Sequence, residues 1–599
     1  MRFLLLLAVV TAYAQLLDPN QAKLEVQVYT ASKVPVLPQF RYQGEFEQYA
    51  AQLRKRILDE VVFRGEAAKW RAAKTGVEYV ETIEAPGYRL KKLRYEAIPG
   101  LWLPGLIYEP ANLTTKVPVV LNVNGHERTG ISTPYIQERC INLARKGVIA
   151  VNMEWLGRGQ MDTPGFNHYR MPQIDLTGAS GLAVFYLAMQ RALDIAASHP
   201  HADPARLAVT GLSGGGWQTI LLSALDSRVA LANPVAGYSS FVTRAQWPDL
   251  DLGDSEQTPM DLASIADYTH LTALVAPRGL QLAYNAKDTC CFRADYAIGP
   301  LMQAAEPVWR LFHASAKLRY YINHGAGHNY DQDNREAFYR LLRDQFFQGK
   351  FDAAEQPVDK EVRTAEQLHV PLPAENLDLH KIALALSKPL PNDKRPTAAR
   401  LNYLVRAKRY AVEAFPAGDS AWKLVMDRAW TVPAVETKPP ASPKSTVLVI
   451  ADGGRKAAPV ERLAAAGHRV VAIDPFYFGE SQLGKRDFLF ALLMASLGER
   501  PLGVQASQVM AAARWLGKAE LHAVGPRSSL IALVAAALED KAITSVTLEQ
   551  PFGSLKEILE KDLSAQQTPE LFCFGLLESF DVPQLKALIA PRKVTTAAP

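Results

Sequence analysis

The chain has 599 residues, 48% of them apolar and 21% charged, a composition that excludes disorder and a length that needs more than one core. Its 66 basic and 61 acidic residues leave a formal charge of +5 with no sustained Lys/Arg run, which argues against nucleic acid as a partner. Four cysteines, at 140, 290, 291 and 573, make no disulfide scaffold, and the twelve histidines include no HExxH or other metal-ligand spacing, so no metal or cofactor is expected.

The first element is a targeting segment. Met1 and Arg2 precede a short apolar run over 3–10, and Ala12-Tyr13-Ala14 puts small residues at the two key positions before a cut after Ala14. This is the pattern of a secretory signal peptide, and the run is too short to span a bilayer. The expected location is secreted or periplasmic, with no integral membrane segment after cleavage. Residues 15–94 are expected to be an N-terminal extension with helical spacing over 46–70.

Residues 95–350 have a different texture. Apolar runs at 117–123, 147–153, 207–210 and 279–284 alternate with helical patterns such as 179–198. Strand runs without polar alternation, spaced by helices, predict a mostly parallel, doubly wound sheet covered on both faces. Such sheets build their sites at the carboxyl ends of strands. Residues 351–440, richer in Pro, Lys and Glu, are expected to be a connector. The strand–helix texture then resumes at 445–450 and marks a second domain over 441–599.

One motif carries the chemistry. Gly211-Leu212-Ser213-Gly214-Gly215-Gly216 follows a predicted strand and opens a predicted helix over 217–225. A nucleophile elbow needs that arrangement: small residues let the turn close, and the serine hydroxyl is thrust up at the strand end. No Lys-Ser/Thr pair follows, as a phosphate-binding loop would need. The nucleophile needs a base and the base an orienting acid, in the chain order Ser, Asp/Glu, His. The strand over 280–284 leads to Asp288 and the strand over 318–322 to His328, with Asp295 and His324 as rivals within reach. The oxyanion hole is expected from the N–H groups of Gly214 and His126, and Trp217 and Phe292 are expected to restrict the acyl chain. Cys290 and Cys291 are expected to be free, buried thiols.

These residues resemble the acetyl xylan esterase and cephalosporin-C deacetylase family of α/β-hydrolases, over roughly residues 95–350. Arg158-Gly159-Gln160 matches that family's RGQ signature, and Asp288 followed by Cys290 is similar to its acid followed by a cysteine. The family pattern is altered at Gly214, where glutamine is usual, at His328-Asn329, where His-Glu is usual, and at His126, which replaces a tyrosine. The resemblance implies that Arg158 and Gln160 brace the site and that no cofactor is used. Together with the elbow it gives an α/β-hydrolase fold and a serine esterase acting on a small-molecule or carbohydrate ester. An exported oligopeptidase-like serine peptidase is the enzymatic alternative, and a non-catalytic surface binding protein the other.

The second domain reads as a degenerate, truncated copy of the first. Residues 271–278 are matched by 585–592, and the separation of Ser213 from Ala276 equals that of Arg527 from Ala590. This alignment puts Arg527 where a nucleophile would stand, and the sequence given stops at Pro599, before any loops that would carry an acid and a histidine. A non-catalytic role is expected.

Overall fold

A computed structural model describes residues 15–247, 249–484 and 486–597. The expected signal peptide, residues 1–14, lies outside the described residues. The chain divides into two compact units: Val34–Met171 with Ser180–Ile382, and Ala383 onward with Pro172–Ala179 and the segment up to Lys33.

The first unit is built on a nine-stranded sheet. Its strands are β1 (Val77–Ala85), β2 (Tyr88–Ile98), β3 (Leu101–Pro110), β4 (Val117–Val123), β5 (Ile149–Met153), β6 (Ala202–Leu212), β7 (Leu231–Val235), β8 (Gly279–Lys287) and β9 (Leu318–Ala326). Their order is β1-β2-β3-β5-β4-β6-β7-β8-β9, antiparallel from β1 to β5 and parallel from there to β9. The apolar runs of the sequence are β4, β5, β6 and β8: every residue of β5 is buried, and all but the first of β4. β7, also wholly buried, was not among them. Helices α1 (Leu182–Ser198), α2 (Gly214–Leu225) and α3 (Gln332–Phe346) pack on this sheet. α2 has no exposed residue at all, which explains why it carries no charged side chain.

The sheet begins earlier than the predicted boundary at 95. β1 and the first part of β2 lie inside the expected N-terminal extension, which is therefore corrected: it is the antiparallel edge of the sheet from Val77 onward. β1 is mostly exposed and carries Glu78, Glu81 and Glu84. Charges on an edge strand block further pairing, and they also erase the apolar signature by which the inner strands were read.

The second unit holds an eight-stranded sheet of β10 (Val412–Pro416), β11 (Ala421–Met426), β12 (Trp430–Glu436), β13 (Thr446–Ala451), β14 (Arg469–Ile473), β15 (Ala519–Val524), β16 (Ile543–Glu549) and β17 (Val594–Ala597). Its order, β10-β11-β12-β14-β13-β15-β16-β17, is that of the first sheet without a ninth strand. β10 to β12 fall inside the predicted connector and form a meander that joins the sheet through β14. The connector is thus shorter than 351–440. Among the described residues, no helix is long and apolar enough to cross a membrane.

Candidate active site

β6 delivers Ser213 to the amino end of α2 with φ 59° and ψ −120°. A non-glycine residue at positive φ is strained, and the strain persists only where surrounding structure holds it. Here the Ser213 N–H donates to the Val235 carbonyl at the end of β7, at 2.9 Å. A Cβ on either Gly211 or Gly215 would collide with the carbonyl of Val123, so both must be glycine for β4 and the elbow to meet. Gly125 is pinned in the same way, since a Cβ there would lie 2.5 Å from the Leu212 carbonyl and 3.0 Å from the Gly214 nitrogen. The chain after β4 therefore runs directly against the elbow, which puts His126 beside Gly214, at the amino end of a buried helix whose first N–H groups and dipole favour an anion.

Asp288 follows β8 and His328 follows β9, and the two meet. His328 Nδ1 lies 2.8 Å from Asp288 Oδ2, and the Asp288 side chain is fully buried. The other oxygen, Oδ1, accepts from the N–H groups of Cys290 (2.8 Å) and Cys291 (3.1 Å). The histidine loop is tied to the nucleophile strand: the Tyr330 hydroxyl is 2.6 Å from Thr210 Oγ1 and accepts from Asn233 Nδ2 at 2.9 Å. Burial works against a charged His328, but the hydrogen bond and charge of Asp288 outweigh it and raise the imidazole above its ordinary value. His328 Nε2 is buried and has no hydrogen-bond partner, Ser213 Oγ included. The dyad is assembled, and the third contact is open. Catalytic hydrogen bonds are commonly long in unliganded enzymes and tighten in the substrate complex.

Both rivals stand at the surface. Asp295 is exposed and paired with Arg293 at 2.8 Å, and His324 is exposed. Cys290 and Cys291 are unbonded, with their sulfurs 3.0 Å apart; Cys291 is buried, but Cys290 is exposed, contrary to the expectation for both. The Cys291 hydrogen bond lowers the Cys290 thiol to about 7.

Arg158 donates from Nε to the His126 carbonyl at 3.0 Å, and Gln160 clasps Val370 by two backbone bonds of 2.9 and 3.0 Å. A residue that the sequence reading missed joins these loops. Glu154 is buried after β5 and accepts from the N–H groups of Ile131 (3.0 Å) and Gln160 (3.2 Å). Burial, opposed by these donors, pushes its carboxyl up to about 8 from 4.5. The folded protein thus holds a proton that the unfolded chain releases at lower pH, so stability falls as pH rises from the lower value toward the upper. Thermal unfolding followed across that window should show a falling midpoint, and Glu154→Gln should flatten the slope.

Trp217 and Phe292 are not where the sequence reading put them. Trp217 is wholly buried, donates from Nε1 to the Tyr268 hydroxyl at 2.8 Å, and packs beside Trp155 and Phe185. Phe292 is 1% exposed at φ 59°, beneath the Arg244 guanidinium. Neither ring has surface left for an acyl chain, because α2 turns Trp217 into the core rather than toward the strand ends. Trp217→Ala should cost about 3–5 kcal/mol of unfolding free energy by denaturant titration, with the ester chain-length profile of the folded variant unchanged.

In the second unit the equivalent site is filled. Gly525, whose N–H donates to the Glu549 carbonyl at the end of β16 at 2.9 Å, takes the place held by Ser213. The equivalence is two residues away from Arg527, the position expected from the sequence. Arg527 pairs with Glu570 and lies 4.4 Å over the Phe478 ring. At the amino end of α4 (Pro526–Leu538), the Asp452 carboxylate accepts from the N–H groups of Arg527 (3.2 Å) and Ser528 (2.7 Å), where an oxyanion would otherwise bind.

Two groups of side chains among the described residues have metal-ligand spacing: Cys290, Cys291 and His328, and His126, His168, Asp254 and Glu256. They come from distant parts of the sequence, so no local spacing could announce them.

Residues 74–258 match the family model for acetyl xylan esterase (AXE1). The match contains His126, Arg158, Gln160 and Ser213 and stops before Asp288 and His328. Similar solved structures include Methylesterase BT1017, with a TM-score of 0.46 at 19% identity, covering 62% of this chain and 80% of that one. A glucuronoyl esterase from Solibacter usitatus gives 0.39 at 15% identity, covering 53% and 100%. An acetyl xylan esterase from Paenibacillus sp. R4 gives 0.35 at 17% identity, covering 53% and 99%. No curated protein matches the chain. Sheet order and elbow give the first unit an α/β-hydrolase fold, and its residues 74–258 match the acetyl xylan esterase family model, which supports an esterase.

Proposed function

We propose that the first unit hydrolyses carboxylic esters through an acyl-Ser213 intermediate, removing acetyl or other small acyl groups from carbohydrate outside the cytoplasm. The observation that carries this reading is the Asp288–His328 pair at 2.8 Å with its far nitrogen unpartnered, in loops that follow parallel strands of the sheet whose β6 ends at a serine of positive φ. His328 Nε2 takes the Ser213 proton as Oγ attacks the ester carbonyl. The N–H groups of Gly214 and His126 receive the developing oxyanion, and the protonated ring gives its proton to the leaving alcohol. Water activated by the same ring then releases the acid. Asp288 holds the Nδ1–H tautomer and stabilises the charged ring. Arg158 fixes the backbone that presents His126, and the second unit takes no part in the chemistry.

The acetyl and carbohydrate assignments rest on the family match. Purified protein given acetylated xylan, p-nitrophenyl acetate and an aminoacyl p-nitroanilide should release acetate and nitrophenol. Turnover of the anilide alone would overturn the reading.

A further inference from the structure

Beside the oxyanion loop, on the far side of the His126 ring from Gly214, two carboxylates and two imidazoles converge. His126 Nε2 stands 3.0 Å from Asp254 Oδ2, 3.8 Å from Glu256 Oε1 and 3.4 Å from His168 Nδ1. Glu256 is fully buried, and its Oε1 accepts no hydrogen bond. A buried carboxylate oxygen without a donor is costly unless a cation takes the donor's place.

We propose that His126 Nε2, Asp254 Oδ2 and Glu256 Oε1 bind a divalent first-row transition-metal ion, with water completing its coordination. Nitrogen and oxygen ligands held about 2.0–2.2 Å from one ion stand roughly 3.0–3.5 Å from each other, close to the spacings seen. One imidazole with two carboxylates suits a metal between the hard and soft extremes, such as Mn²⁺, Fe²⁺ or Zn²⁺.

His168 serves as an orienting partner rather than a ligand. Its Nε2 accepts from the Trp155 indole at 3.2 Å, so its Nδ1 carries the hydrogen and donates to Glu256 Oε2 at 2.8 Å. The Tyr169 hydroxyl does the same for Asp254 Oδ1. Each ligating carboxylate thus has its second oxygen fixed, the arrangement by which metal sites orient their ligands. The open side faces a cavity of about 270 Å³ lined also by Arg158, Asp162 and Asn167, which gives water and exchanging ions a route in. A metal on Nε2 leaves Nδ1 as the ring N–H. That edge of the ring packs against Gly214, with Cε1 3.1 Å and Nδ1 3.3 Å from where a Cβ would stand. The ion would therefore brace the loop that presents the His126 backbone, and its binding stands independently of the ester reading.

The test is metal binding by the whole protein after chelation and dialysis. Mn²⁺ followed by electron paramagnetic resonance, and Zn²⁺ by calorimetry, should each titrate one site and raise the thermal unfolding midpoint. Glu256→Gln and Asp254→Asn should each weaken that site by at least about tenfold, as expected for loss of a ligand or its orienting partner. Both variants keep the shape of the cluster, and circular dichroism checks that they fold. If the native protein binds neither ion, the His126 ring alone balances the carboxylates and the proposal fails. Binding that is unchanged in both variants places the ion elsewhere, at Cys290, Cys291 and His328 for instance, and equally overturns it.

Discussion

Replacing Ser213 with alanine is expected to lower kcat on p-nitrophenyl acetate by about 10⁴- to 10⁶-fold, while the thermal unfolding midpoint stays close to that of the native protein. The size follows from the role: without Oγ no acyl intermediate forms, and only the oxyanion donors and substrate binding remain. Stability should change little because alanine keeps the Cβ, and thus the cost already accepted at φ 59°. The native backbone bond from residue 213 to the Val235 carbonyl also survives the change. A fall of less than about tenfold in the folded variant would mean that another group does the chemistry.

Asp288→Asn is expected to cost about 10⁴-fold in kcat by presenting the wrong tautomer of His328. Asp288 accepts from the ring on one oxygen and from two backbone N–H groups on the other. An amide cannot accept on both sides, so it must point its NH₂ group at the ring or at those backbone donors. The pH profile carries a second signature. His328 must be neutral to accept the Ser213 proton, so activity rises as pH passes through its pKa. In the native protein Asp288 raises that value above 6.5 despite burial, and the acid limb of kcat/KM should lie correspondingly high. In the variant the Asp288 hydrogen bond and charge, the largest of the raising interactions, are gone while burial remains, so the limb moves to lower pH. A limb that stays in place would show that His328 is not the titrating base.

The inner sheet was legible where full burial on both faces leaves an apolar run that needs no context: β4 spans the predicted 117–123, β5 is wholly buried, and β8 is buried from Gly279 to Asn285. β7 is equally buried but was not read as a strand, because Asn233 and Pro234 interrupt its apolar run. The elbow was legible because steric crowding from Val123 admits only glycine at 211 and 215. The edge strands were not, since β1 and β10 are largely exposed and their residues answer to solvent rather than to a core. Asp288 and His328 could be found from chain order and strand ends. Glu154, Asp254 and Glu256 could not, because each acts through partners remote in sequence and lies in no recognisable motif. Trp217 was misplaced for a related reason: its position beside the serine says nothing about which face of α2 it occupies, and packing turned it inward.

The acyl-serine route is tested most directly by labelling native protein with a fluorophosphonate and mapping the modified peptide by mass spectrometry. One label per chain, on Ser213 and lost in His328→Ala, is the predicted result. An unlabelled Ser213 in folded protein, or labelling undiminished without the histidine, would contradict it.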